Sequence, residues 1–131
     1  MDYSQLSDFE INKLVAEANG TQVEETYQFV NGGEDIADHM SGVVLMRKIT
    51  SNRKHWRLYD PCNSAADAWT IIVVNDISLN SYGSAWEASF EHDAPIWAFG
   101  TDETVTSGYE HRNPLRAAMI AFLMKQEHAN A

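Results

Sequence analysis

Chemistry in this chain would have to come from five histidines, one cysteine, a few neighbouring acids and a cluster of bases around a tryptophan. His39, His55, His92, His111 and His128 lie far apart, and none forms a His-x-x-x-His pair, the spacing that sets two imidazoles on one helix face for a metal. Asp35, Asp38 and His39 come nearest to a ligand cluster, and a solvated acidic turn accounts for them. Neither metal nor cofactor is expected. Cys62 stands before a helical stretch, where backbone amides favour a thiolate. A nucleophile would also need a positioned base such as His55 or His111, and nothing in the sequence positions one. A small buried cysteine at a helix entry is the preferred reading; a cleft holding Cys62, a histidine and a carboxylate would reverse it. The paired acids Glu24-Glu25 and Asp102-Glu103 read as solvent-facing. There is no Gly-x-Ser-x-Gly elbow, phosphate loop or dinucleotide fingerprint. The pattern argues against an enzyme.

The bases are unevenly placed. Across 131 residues the net charge is −10. Residues 1–38 hold nine acids and one base, and residues 61–131 hold nine acids and three bases. Residues 39–60 reverse this, with one acid and five bases. This island is Arg47, Lys48, Arg53, Lys54 and Arg57, with Trp56 inside it. Such interleaving could hold an anion and stack a base, which makes Arg47, Lys48, Arg53, Lys54, Trp56 and Arg57 the candidate ligand-binding residues. The competing reading is a charged sheet edge that discourages pairing between molecules. The acidic balance elsewhere makes nucleic acid an unfavourable partner.

Three helices can be read directly. Ser7 and Glu10 make a capping box, with Leu6 set to staple onto Ile11. Ile11, Leu14, Val15 and Ala18 then give one apolar face, and Asn19-Gly20 stops the helix. Asp60-Pro61-Cys62-Asn63 breaks the chain, with Asn63 as the cap of a second helix. Its spacing puts Ala65, Ala68, Trp69, Ile72 and Val73 on the core face, Trp69 among them. Asn113 caps the third helix, and Pro114 takes its first position without loss. Leu115, Ala118, Met119, Phe122 and Leu123 form its front. Ala117, Ile120, Ala121 and Met124 repeat the spacing behind. A helix apolar all round is normally buried all round; the alternative is that this back face meets a partner subunit.

Strands are expected at Val43–Met46, His55–Tyr59, Ile77–Leu79, Trp86–Phe90 and Ile96–Phe99, with a weaker one in 21–30. Glu91–Ala94 reads as a hairpin loop and Gly100–Arg112 as a polar loop. Asn31-Gly32-Gly33 is a turn signal. Together these predict one domain over 1–131, of α+β class, with three helices and a mostly antiparallel sheet in an α/β/α sandwich-like layering.

Three segments carry a resemblance: Tyr3-Ser4-Gln5-Leu6-Ser7-Asp8-Phe9-Glu10-Ile11-Asn12-Lys13, Asp60-Pro61-Cys62-Asn63-Ser64-Ala65-Ala66-Asp67-Ala68-Trp69-Thr70-Ile71-Ile72, and Asn113-Pro114-Leu115-Arg116-Ala117-Ala118-Met119-Ile120-Ala121-Phe122-Leu123. Together they resemble the NinX-like family of small bacteriophage and prophage proteins, and are similar to the related phage α-β-α sandwich domain. Residues 21–59 take no part in the resemblance. It implies a phage-encoded cytoplasmic protein and the sandwich layering, and it implies neither an activity nor any site positions.

The expectation is therefore a phage accessory protein that works without catalysis, by binding a host or phage protein. Self-association through Ala117, Ile120, Ala121 and Met124 would make it a homo-oligomer. No apolar run is long enough to cross a bilayer. The alternative is a small-ligand or nucleotide-binding module, or a weak enzyme, built on the basic island.

Overall fold

The computed structural model describes residues 1–27, 43–52, 55–93 and 104–130. A 3-10 turn, Tyr3–Gln5, leads into α1, Asp8–Asn19. Strands β1, Val23–Tyr27, β2, Val43–Arg47, and β3, Arg57–Leu58, follow. Next come α2, Ala65–Val74, and then β4, Ser78–Ser81, β5, Trp86–Asp93, and β6, Thr104–His111. The helix α3, Pro114–Ala129, follows β6.

The α+β class holds. Where one sheet was expected, the strands divide into two antiparallel three-stranded sheets, in the orders β1-β2-β3 and β4-β5-β6. The helix α3 ties the fold together by touching α1, α2, β4, β5 and β6. The helix α1 in turn carries β2. The main core joins Ile11 and Val15 of α1, Ala68, Ile71 and Ile72 of α2, Ala88 and Phe90 of β5, and Ala117–Leu123 of α3. A smaller cluster of Ala16, Leu45 and Tyr59 lies between α1 and the first sheet.

Local signals set the helix ends. Ser7 Oγ accepts from the Glu10 N–H at 3.2 Å, and Glu10 Oε1 accepts from the Ser7 N–H at 3.2 Å. This reciprocal pair satisfies two free amides at the start of α1. Gly20 closes α1 at φ 72°, a left-handed conformation that suits glycine. Asn113 Oδ1 accepts from the N–H of Leu115 and of Arg116 at the start of α3. At α2 the cap is Ser64, not Asn63: Ser64 accepts from the Asp67 N–H, while the Asn63 amide is drawn to Asp8 and Asp60.

Other expectations need correction. The stretch read as a polar loop contains β6, paired along its whole length with β5. Burial alternates strictly along β6, but the half-buried positions include Ser107 and His111, so hydropathy conceals the period of two. Gly108 there is a close-approach glycine: a Cβ would lie 2.7 Å from the Ala88 carbonyl oxygen. Glu91–Asp93 continue β5 and do not form the hairpin loop. In α1 the buried residues are Ile11, Asn12, Val15 and Ala16, and Ala18 is exposed. The strand read over His55–Tyr59 is only Arg57–Leu58. The expected turn at Asn31-Gly32-Gly33, the acidic group Asp35, Asp38 and His39, and the strand Ile96–Phe99 lie outside the described residues. Among those residues, no helix is long and apolar enough to cross a membrane.

Candidate functional site

The segments distant in sequence meet where α1, the turn before α2 and the start of α3 converge. Arg116 is 8% exposed. Its guanidinium donates to Asp8 Oδ1 at 2.6 Å, to the Tyr3 carbonyl at 3.1 Å and to the Leu6 carbonyl at 2.7 Å. Asn12 Nδ2 donates to Asp60 Oδ1 at 2.7 Å, and Asn12 Oδ1 accepts from the Cys62 N–H at 3.0 Å. Asn63 Nδ2 bridges the Asp8 and Asp60 carboxylates at 3.1 Å. Asn113 Nδ2 donates to the Cys62 carbonyl at 2.7 Å. One set of amides and charges thus pins three chain segments to one another.

Electrostatics follow from this packing. Burial works to raise the Asp8 carboxyl, but hydrogen bonds from Arg116 and Asn63, with the charges of Arg116 and His111, hold it below the ordinary aspartate value. Burial pushes the Cys62 thiol well up, and neighbouring Asp8 adds to the rise while Arg116 opposes it. The junction does gather a cysteine, a histidine and two carboxylates, the combination that could signal catalysis. The groups are not disposed for it. Cys62 has no exposure, and a thiol held protonated is a poor nucleophile. His111 Nδ1 accepts from the Asn113 N–H at 2.9 Å, which leaves that nitrogen committed to the backbone.

A cleft of about 230 Å³ opens beside the junction, lined by Phe9, Asn12, Val43, Leu45, Tyr59 and Asp60 among others. Asp60 on its wall is already engaged, since Asn12 and Asn63 donate to it. The Tyr59 hydroxyl is buried near Thr21 and has no well-formed hydrogen bond among the described residues. Burial raises its phenol.

Two histidines do come together elsewhere. His92 of β5 stacks on His128 of α3 with ring centroids 4.1 Å apart and planes 23° apart, beside Phe90. Imidazole lone pairs lie in the ring plane, so stacked rings do not converge on one ion. Among the described residues no three of His, Cys, Asp or Glu are grouped to hold a metal.

The basic island lies at a sheet margin. Arg57 belongs to the edge strand β3 and sits opposite Arg47 in register. Arg47, Lys48 and Arg57 are exposed. The Lys48 ammonium lies 5.6 Å from the Trp56 ring centroid, and the indole N–H donates to the Thr50 carbonyl at 2.8 Å. Arg53 and Lys54 lie outside the described residues.

On the last helix the preferred reading, burial on both sides, holds, and the alternative of a partner face gives way to it. Ala117, Ile120 and Ala121 have no exposure within the single chain, and Met124 is half-buried against the same core. These residues are covered because α3 is enclosed by the other two helices and the second sheet. Trp69, expected in the core, is instead 63% exposed. The helix α2 buries Ala68, Ile71 and Ile72. Its outward side carries Ala66, Trp69, Thr70, Val73 and Val74, all exposed. Their spacing of i, i+3, i+4, i+7 and i+8 makes one continuous helical face. Asp67 holds this rotation, its carboxylate accepting from the Asp60 N–H at 2.9 Å, and no local sequence pattern signals that contact.

These features define a small α+β domain whose most elaborate polar cluster holds its own segments together. A family model described as bacteriophage P22, NinX matches residues 2–126, and the chain belongs to that family. Membership makes it a phage accessory protein. No curated protein matches it.

Proposed function

We propose that the protein is a non-enzymatic protein-binding module whose docking surface, for a protein of the phage, a second copy included, or of its host, is the outward face of α2. The observation that supports this is the exposure of Trp69, Val73 and Val74, at 63%, 53% and 71%, on one side of one helix. Scattered apolar residues on a surface are ordinary, but a contiguous apolar face rich in a large aromatic is the pattern of a protein contact. In this reading the protein acts in the host cytoplasm, which suits a single free, buried cysteine.

The second reading, a small-ligand or nucleotide site around Trp56, meets an obstacle at Lys48. That ammonium already lies over the ring on which a base would stack.

The test is affinity capture from phage-infected cells with the wild type and with Trp69→Ser and Val73→Ser combined. The variant is expected to lose whatever the wild type retains specifically, with its melting temperature unchanged. An identical set of retained proteins would remove α2 from the proposal.

A further inference from the structure

We infer that the occupant of the α2 face is α2 of a second copy of this chain, packed antiparallel about a two-fold axis between Trp69 and Thr70. This rests on the reading of α2 as the docking surface. Charge provides the first argument. The chain carries −10, so two copies repel wherever their acids meet. The exposed residues of α2, namely Ala65, Ala66, Trp69, Thr70, Val73 and Val74, include no charge. The single acid of the helix, Asp67, is turned inward onto the Asp60 amide. A partner selected by basic charge would find nothing to pair with on this face. An identical copy would find a face free of repulsion.

The arrangement of sizes provides the second argument. A two-fold axis at this position sets Trp69 beside Thr70 of the other copy, Ala66 opposite Val73, and Ala65 opposite Val74. Each larger side chain meets a smaller one, as a self-complementary interface requires. The exposed Asp76 just beyond α2 would face Asn63 of the other copy, also exposed, so the flanking acid meets a neutral amide. Antiparallel helices also oppose their dipoles favourably.

The expected strength follows from length. Ten residues make a helix about 15 Å long, and a pair of such helices covers less than the roughly 1,600 Å² of a standard stable interface. The dimer should therefore be weak and concentration-dependent.

Sedimentation of the full chain from about 10 μM to about 1 mM, a range that brackets weak association, reads this directly. A reversible dimer that weakens at least tenfold in Trp69→Ser is expected. A second measurement uses an engineered thiol. Thr70→Cys, beside the axis, should oxidise to a covalent dimer faster than Ser84→Cys in the exposed turn before β5, because close Cα atoms are needed for the bond. Cys62 stays silent, being fully buried. A wild type that stays monomeric throughout, with Thr70→Cys no faster than Ser84→Cys, would overturn the self-pairing. So would a dimer indifferent to Trp69→Ser. If self-pairing fails but Trp69→Ser and Val73→Ser still abolish capture of another protein, the docking reading survives. If capture is also unchanged, both fail.

Discussion

The junction around Arg116 and the outward face of α2 lie on either side of one short turn, yet they answer opposite demands. At the junction the distinctive side chains bond to the chain itself: Arg116 serves two carbonyls and a carboxylate, Asn12 serves Asp60 and Cys62, and Asn113 serves Cys62 and its own helix. On α2 the outward residues are chemically plain and stand exposed. Unusual residues therefore need not mark a working surface. Here charges and amides are consumed in holding segments together. The exposed side of α2 is made of alanine, valine, threonine and one tryptophan.

Removing Arg116 should have the largest effect. Arg116→Met keeps the length of the side chain but strips the Tyr3 and Leu6 carbonyls of their donor and leaves Asp8 without its cation. Breaking a buried ion pair costs about 3–5 kcal/mol; the Asp8 side chain is 41% exposed, which screens part of that. A loss of about 2–4 kcal/mol is expected on this scale, measured as a fall in the urea midpoint with an unchanged slope. A loss under about 1 kcal/mol, the range of an exposed pair, would mean that the junction is not a structural keystone.

Acid sharpens the same point. The folded chain holds the Asp8 carboxyl below its ordinary value. A carboxyl lowered by folding contributes stability that is complete above its unfolded value and is lost as pH falls through the folded one. The decline should therefore begin near the ordinary aspartate value of about 3.9 and continue below it. In Asp8→Asn that part of the acid sensitivity should vanish, at the cost of lower stability at neutral pH. Urea midpoints of both proteins at neutral and acid pH measure it. Parallel curves for the two proteins would show that Asp8 draws nothing from its partners.

What could be read from the sequence follows the same division. Both ends of α1 and the start of α3 were legible because Ser7 with Glu10, Gly20, and Asn113 with Pro114 act on backbone groups within one turn. The α+β class was legible because those helices alternate with short β-rich runs. The strand β6 was not, because Ser107 and His111 take inner positions and Gly108 imitates a loop. The rotation of α2 was not legible either. Every residue from Ile71 to Val74 is apolar, so periodicity cannot choose between the stripe containing Trp69 and the one containing Ile71. The choice is made by Asp67 reaching the amide of Asp60, a contact between segments that no local pattern encodes. Of the candidate sites, the basic island was visible as composition. The α2 face depends on that rotation, and the α3 face is cancelled by burial.

The smallest expected effect on stability belongs to Trp69. If its ring meets only water in the single chain, Trp69→Ser should change the unfolding free energy by no more than about 0.5 kcal/mol at monomeric concentration, as for an ordinary surface site. Serine also has lower β propensity and only slightly different helix propensity, so α2 should stay folded by circular dichroism. A tryptophan packed in a core would behave very differently, with a loss of about 3–5 kcal/mol on truncation. The size of this one number decides whether the indole belongs to the fold or is held out for a partner, and it does so in a dilute sample where no partner is present. A large loss would return Trp69 to the core and remove the contrast between the two regions.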